Sequence, residues 1–104
     1  MTTLSLLIKN EPVVTAAALR FARASSDTDA RIHCVFFYGK GVLHAKGPEK
    51  QFWSDWSRSV GARLVLCSAS AESFGLTADD DFSVEGLGEL IEAGLISGKV
   101  LSFG

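Results

Sequence analysis

One cysteine of this chain occupies a position from which a thiol could do chemistry. Cys67 follows the apolar run Leu-Val-Leu at 64–66 and precedes the small, hydroxyl-rich stretch 68–71. In a parallel α/β sheet this position is the carboxyl edge of a buried strand, where such sheets bind and transform ligands. A lone thiol there predicts chemistry on sulfur. The alternative is core packing, because apolar burial raises the pKa of a thiol and makes it inert.

The residues around Cys67 exclude several kinds of thiol enzyme. Cys34 is the other cysteine of the chain, so there is no Cys-x-x-Cys dithiol and no paired zinc-ligand spacing. Phosphatase and rhodanese loops need an arginine shortly after the cysteine to hold an oxyanion, and no arginine follows Cys67. What remains is a single nucleophile suited to carrying sulfur as a persulfide and passing it to another thiol.

Two residues of the segment 39–47 are candidates for roles beside Cys67. Lys40 lies in a loop at the same predicted sheet edge, where its ammonium could lower the thiol pKa, or it is a solvated loop lysine. His44 could shuttle protons, or could pack against a subunit as a polar loop residue. Cys34 is predicted to be a core residue about three positions, or roughly 10 Å, deeper in the sheet, too far away for a disulfide.

Composition limits the fold class and the partners. The length of 104 residues predicts one domain, residues 1–104, with a small core. Because 47% of the residues are hydrophobic, we expect other subunits to cover part of the surface. The net charge of −2 argues against nucleic acid and anionic membranes as partners. With no apolar stretch of about 20 residues and no signal peptide, we expect a cytoplasmic protein with reduced thiols.

Short apolar runs alternate with helical patterns along the chain. This alternation is typical of βαβ units and predicts a mostly parallel sheet. The segment 68–82 is predicted to be a loop. Strands are predicted over residues 4–8, 32–38, 64–67 and 100–103.

Three helices are expected to cover this sheet. The first begins at its N-cap Asn10 and places Val13 and Val14 on the inner face. The second spans 48–61 and turns both tryptophans of the chain toward the core or a subunit. The third is capped by Ser83 and ends at Gly98.

Three blocks of sequence, in this order and spacing, resemble the DsrE/TusD family of sulfur-relay proteins. They are CVFFYGKGVLHA at 34–45, LVLCSASA at 64–71 and FSVEGLGEL at 82–90. The likeness runs from about Ala30 to the C-terminus, whereas residues 9–14 replace the Gly- and Ser-containing loop usual in the family. The resemblance implies a three-layer α/β/α sandwich with a mostly parallel sheet of four to five strands.

The resemblance also implies an activity and an assembly. The activity is that of an intracellular sulfurtransferase, which accepts sulfane sulfur as a persulfide on Cys67 and passes it to a partner thiol, in tRNA thiolation or sulfur oxidation. The assembly is a homo- or hetero-oligomer with DsrE-, DsrF- or DsrH-like subunits that meets donor and acceptor proteins. We expect neither a cofactor nor a metal ion.

Two other functions remain open from the sequence. One is a non-catalytic structural subunit of a DsrEFH- or TusBCD-type complex, in which Cys67 is buried and inert. The other is a small-molecule-binding α/β module that uses the sheet edge and the loop 39–47.

Overall fold

The computed structural model describes residues 3–14, 16–25, 31–92 and 99–103. Its centre is a sheet of five strands that all run parallel. The predicted α/β fold with a mostly parallel sheet is therefore confirmed. The strands are β1 (Thr3–Ile8), β2 (Arg31–Phe37), β3 (Arg63–Cys67), β4 (Phe82–Glu85) and β5 (Lys99–Phe103). Their order across the sheet is β4-β3-β2-β1-β5.

Helices cover both faces of the sheet. Ala18, Trp53 and Ala71, from three different helices, join the larger core cluster on one face, whereas Leu90 joins a smaller cluster on the other. The helices are α1 (Ala16–Ser25), a 3₁₀ helix (Gly39–Ala45), α2 (Pro48–Val60), α3 (Ser68–Ser73) and α4 (Leu87–Glu92).

The side on which each helix packs follows from the strand order. From β1 to β4, each strand lies on the same side of the strand that precedes it in the chain. Because crossovers between parallel strands are right-handed, the three connections between these strands lie on one face of the sheet. Because β5 lies beside β1, the connection from β4 runs back across the sheet and belongs on the other face. The connections that leave the neighbouring ends of β3 and β4 therefore go to opposite faces, which makes this point the topological switch point of the sheet.

The larger core cluster is built around α2. Trp53 is fully buried and Trp56 is nearly so, and their rings pack edge to face with centroids 5.4 Å apart. Trp56 Nε1–H donates a hydrogen bond of 2.9 Å to the carbonyl of Ala22 in α1. Both tryptophans face the core, the first of the two predicted alternatives, and their packing holds α1 and α2 together against the sheet.

The predicted start of the first helix is wrong. The segment after β1 forms a turn in which Val14 N–H donates to the Glu11 carbonyl at 3.0 Å, and α1 begins only at Ala16. Val13, predicted to face inward, is 89% exposed. Two consecutive β-branched valines have low helix propensity. The helix therefore begins where the alanine-rich stretch begins.

Two other elements differ from the prediction. Residues 68–73, predicted to be loop, form α3. Residues 82–85, predicted to be the end of that loop and the start of the last helix, form β4. In β4, the apolar residues Phe82 and Val84 alternate with the polar residues Ser83 and Glu85. The backbone of β4 pairs in parallel with that of β3. Ser83 is therefore not a helix cap. The predicted end of the last helix at Gly98 lies outside the described residues.

Candidate functional site

Cys67 lies at the carboxyl edge of the sheet, where the sequence placed it. It is the last residue of β3 and the residue that precedes α3, it is half-buried, and its thiol is free. Its Cα partner is Glu85 at the end of β4, so Cys67 lies at the topological switch point. In open parallel sheets this point forms the crevice in which ligands bind.

The local sequence explains why the chain turns sharply at Cys67. The preceding residues 64–66 are buried from both faces, which is typical of an interior strand. Cys67 keeps an extended backbone (φ −60°, ψ 127°), and α3 begins at the next residue. The small residues of 68–71 let this helix lie against the sheet edge, and Ala71 is buried in the larger core cluster.

The turn that carries Lys40 is held rigidly at the same edge. Gly41 lies so close to β1 that a Cβ there would be 2.0 Å from the carbonyl oxygen of Ile8. Gly39 N–H donates a hydrogen bond of 2.8 Å to Ser70 Oγ in α3. The turn is thus joined to the helix that follows Cys67, and Lys40 itself is exposed.

The structure does not bring His44 to Cys67. His44 is fully buried, and its Nδ1 accepts a hydrogen bond of 2.9 Å from Trp53 Nε1–H. Its ring also packs 5.4 Å from Phe37, in the larger cluster, whereas Cys67 packs against the smaller one. Burial lowers the pKa of His44 to about 4, opposed by a hydrogen bond to the backbone of Asn10. His44 is therefore a neutral core residue at pH 7.

Cys34 is the inert thiol of the pair. It is fully buried, and this burial raises its pKa to about 11. Its Cα partner is Arg63, four residues before Cys67, or about 13 Å along the strand at ~3.3 Å per residue. This offset is one residue larger than predicted, and both cysteines are free, as expected for this separation.

Two neighbours of Cys67 were missed in the sequence. Tyr38 follows Phe37, the partner of Leu66, so it occupies the register position beside Cys67. Its ring stacks on Phe36 with centroids 6.1 Å apart and packs against the same small cluster as Cys67. The two-residue period of β2 was the available signal, because it places Tyr38 on the face of Cys34 and Phe36.

The second missed neighbour is Glu85, the register partner of Cys67. Its Oε2 pairs with Arg63 Nη2 at 2.7 Å and accepts a hydrogen bond of 3.2 Å from Ser83 Oγ. The carboxylate nearest to Cys67 along the sheet is therefore already matched by a cation. No sequence signal predicted this pair, since Glu85 was assigned to a helix.

An apolar cavity opens beside the site. It has a volume of about 470 Å³ and lies between α3, the loop 75–78 and β4. Ser68, the residue after Cys67, lines one end, and Glu72 contributes a carboxylate. Ala71, Leu76 and Val84 form its apolar wall.

Within the ranges described above, His, Cys, Asp and Glu side chains form no group that could hold a metal ion. In the same ranges the structure contains no helix both long and apolar enough to cross a membrane.

Comparison with known proteins identifies the family. The model of the DsrE/DsrF-like family matches residues 6–103. The chain belongs to the DsrE/DsrF-like family. Among its DsrE/DsrF-like relatives is Sulfurtransferase TusD of Serratia proteamaculans, 31% identical over 85% of this chain and 86% of that protein. Sulfurtransferase TusD of Klebsiella pneumoniae strain 342 is 28% identical over 85% and 87%.

Solved structures share this DsrE/DsrF-like fold. The protein of unknown function MTH1491 from Methanobacterium thermoautotrophicum superposes with a TM-score of 0.76 at 15% identity, over 98% of this chain and 99% of that one. BT1422 from Bacteroides thetaiotaomicron, also of unknown function, superposes with a TM-score of 0.67 at 20% identity, over 97% and 94%. The resemblance inferred from the three sequence blocks is confirmed, and the sulfurtransferase relatives support a sulfur-relay role at the level of the family.

Proposed function

We propose that this DsrE/DsrF-like protein is a sulfur carrier whose Cys67 accepts sulfane sulfur as a persulfide and passes it to a partner protein thiol. The observation that carries the proposal is the free, half-buried thiol of Cys67 at the switch point of the sheet. A carrier needs a sulfur that another protein can reach, and exchange rates depend on that access. The named activity of the TusD relatives supports the same chemistry.

The proposed reaction has two balanced steps. In the first, the Cys67 thiolate attacks the terminal sulfur of a donor persulfide, the donor's sulfur–sulfur bond breaks, and the donor leaves as a thiolate. In the second, an acceptor thiolate attacks the terminal sulfur of the Cys67 persulfide, and Cys67 leaves as a thiolate. No external oxidant or reductant is needed, because each step exchanges one sulfur–sulfur bond for another.

Neighbouring charges suit an anionic sulfur at this position. The Arg63–Glu85 pair, 2.7 Å between Nη2 and Oε2, offsets the carboxylate that is the register partner of Cys67. We assign Lys40, on its rigid turn at the same edge, to the attraction of the departing thiolate. We assign His44 no part in the transfer, since it is buried in the core and burial lowers its pKa to about 4.

The proposed partners are other subunits and the proteins that donate and accept sulfur. Several large apolar side chains are exposed on the described surface, which supports assembly with copies of this chain or with DsrE-, DsrF- or DsrH-like subunits. The exposed apolar side chains include Val13, Leu87, Ile91 and Val100.

Whether the carried sulfur enters tRNA thiolation or sulfur oxidation depends on the acceptor protein.

Intact-protein mass spectrometry after incubation with a low-molecular-weight persulfide tests the proposal. The native protein should gain one sulfur atom that dithiothreitol removes. Cys67→Ser should gain none, and the matched variant Cys34→Ser should gain it as the native protein does. Loss of the sulfur in Cys34→Ser instead would refute the assignment.

Alkylation separates the carrier from a structural subunit. Iodoacetamide should modify Cys67 in the native protein and Cys34 only after denaturation. If Cys67 resists native alkylation as Cys34 does, then the protein is a structural subunit.

A further inference from the structure

Tyr38, the one tyrosine of the chain, continues the backbone of β2 beyond its last residue. Its backbone is extended (φ −138°, ψ 165°), and its N–H donates a hydrogen bond of 3.0 Å to the Ile8 carbonyl of β1. Its own carbonyl accepts a hydrogen bond of 2.9 Å from Gly41 N–H. Tyr38 therefore keeps the pleat of β2, and its backbone is held from both sides.

Tyr38 and Cys67 project from the same face of the sheet. Phe36 in β2 is the register partner of Val65 in β3. One two-residue period farther along the two strands, Tyr38 lies beside Cys67. Both pack against the smaller core cluster, which contains Phe36 and Val65. Because neighbouring strands are about 4.8 Å apart, the side chain of Tyr38 flanks the thiol from the side of β2.

The ring of Tyr38 is packed, whereas its hydroxyl is not engaged. The ring stacks on that of Phe36 with centroids 6.1 Å and planes 24° apart. Tyr38 is half-buried, and its hydroxyl forms no hydrogen bond to another residue that the structure describes, Cys67 included. The hydroxyl is therefore available to a group that arrives at Cys67.

A phenol hydroxyl at this position suits the outer sulfur of a persulfide better than the sulfur of a bare thiol. The Sγ atom of Cys67 is one bond from its Cβ, whereas the hydroxyl of Tyr38 lies at the far end of its ring. A persulfide adds a second sulfur about 2 Å beyond Sγ, farther from the sheet. The hydroxyl can donate a hydrogen bond to that sulfur, and the ring can add a sulfur–aromatic contact.

We propose that Tyr38 holds the carried sulfur, with its hydroxyl donating a hydrogen bond to the outer sulfur of the Cys67 persulfide and its ring packing against that sulfur. The proposal rests on the proposed function of Cys67 and adds the residue that distinguishes the persulfide from the thiol. Tyr38 breaks no bond and gives up no proton. Its contact forms only when the sulfur arrives, so it stabilises the persulfide relative to the thiol.

Sulfur exchange with glutathione persulfide tests the proposal. The Cys67 thiolate takes the outer sulfur and glutathione leaves as a thiolate, so intact-protein mass spectrometry at set ratios of glutathione persulfide to glutathione gives an equilibrium constant. Tyr38→Phe keeps the ring and should lower this constant about two- to tenfold, the effect of one net hydrogen bond. Tyr38→Leu removes the ring as well and should lower it further.

Two controls separate this role from a structural one. Iodoacetamide should alkylate Cys67 at the native rate in Tyr38→Phe, because the hydroxyl forms no hydrogen bond to the thiol of the sulfur-free protein. Ser68→Ala removes a hydroxyl from the residue that follows Cys67 in the chain. Because Ser68 lines the cavity between α3 and β4, away from β2, this variant should keep the native equilibrium constant.

The single tyrosine also gives a spectroscopic readout. Isotopic labelling of the tyrosine Cζ carbon yields one NMR signal, which belongs to Tyr38. Methyl methanethiosulfonate places an outer sulfur on Cys67 without any persulfide: the thiolate attacks the sulfenyl sulfur, a methyl disulfide forms and methanesulfinate leaves. The Cζ signal should shift in the native protein and stay in place in Cys67→Ser.

An unchanged equilibrium constant in Tyr38→Phe, an equal loss in Ser68→Ala, or a Cζ signal that does not move when Cys67 is methylthiolated would overturn the inference. So would a matching fall in the alkylation rate of Tyr38→Phe, because Tyr38 would then act on the thiol itself. Failure of the sulfur carrier is a separate result. A native protein that never gains sulfur, yet whose Cζ signal shifts on methylthiolation, would refute the proposed function and support the contact between Tyr38 and an outer sulfur.

Discussion

The two thiols of this chain differ in what surrounds them. Cys34 is fully buried in the smaller core cluster, together with Phe36 and Val65, and this burial raises its pKa to about 11. Cys67 packs against the same cluster from its edge and remains half-buried and free. At the scale of single residues, position along a strand separates a fully buried thiol from a half-buried one.

A buried histidine makes stability depend on pH. His44 has a pKa of about 4 in the folded protein, lowered by burial, against 6.5 when unfolded. Its contribution is complete above pH 6.5 and is lost as the pH falls toward 4, because the unfolded chain takes up a proton that the folded protein excludes. The full loss is about 3 kcal/mol.

Urea unfolding at pH 7.5 and pH 4.5 measures this effect. The free energy of unfolding of the native protein should fall by about 2.5 kcal/mol between the two, from the titration of His44. His44→Gln, which cannot titrate, should show a much smaller fall, and His33→Gln should behave as the native protein. An equal fall in His44→Gln would contradict the prediction.

At the scale of elements, the position of Lys40 depends on the first turn of the 3₁₀ helix, residues 39–41, which follows β2. Gly41 N–H donates to the Lys9 carbonyl at 2.9 Å, and Ser70 Oγ accepts from Gly39 N–H at 2.8 Å. The turn is therefore bonded to β1 on one side and to α3 on the other. This arrangement holds Lys40 at the carboxyl edge where Cys67 ends its strand.

Alanine substitutions at two glycines test the close approach of this turn. Gly41→Ala should lower the free energy of unfolding by about 2–3 kcal/mol, because its Cβ would lie 2.0 Å from the Ile8 carbonyl oxygen. Gly88→Ala in α4, where nothing lies within 4 Å of the added Cβ, should raise it by about 0.5–1 kcal/mol. Urea unfolding compares the two variants, and effects of the same sign would show that the turn has room to move.

At the scale of the whole molecule, strand order determines where chemistry can occur. Four strands are added in one direction and the fifth returns to the other edge, which puts the topological switch point between β3 and β4. Cys67 and Glu85 end these strands as register partners. The same register keeps Cys34 four positions away from Cys67.

Cystamine probes this separation of the two thiols. The native protein should form one mixed disulfide, on Cys67, with no adduct on Cys34 and no bond between the cysteines, because the two positions are about 13 Å apart along the sheet. Intact-mass measurement should find one adduct in Cys34→Ser and none in Cys67→Ser. An internal disulfide, seen as a mass two hydrogens below that of the reduced chain, would show that the sheet opens far enough for the thiols to meet.

The features that could be predicted from the sequence are those set by neighbours along the chain. The apolar run 64–66 predicts a buried strand whatever lies beside it, and Cys67 follows as its last residue. The helix 48–60 could also be predicted from the sequence, because Pro48 and Gly61 mark its ends and its two tryptophans share one face. In each case the signal is local.

The features that required the tertiary structure depend on partners far away in the chain. The strand at 82–85 forms because its backbone pairs with that of β3. Taken alone, its four residues are also compatible with a helix. His44 is neutral because Trp53 and the Asn10 backbone meet it in the core, which no spacing around residue 44 reveals. Local propensity and periodicity thus determined strands β1, β2, β3 and β5 and the position of Cys67 at the end of β3. Contacts between distant residues decided which side chains surround that thiol, because burial and charge depend on packing across the sheet.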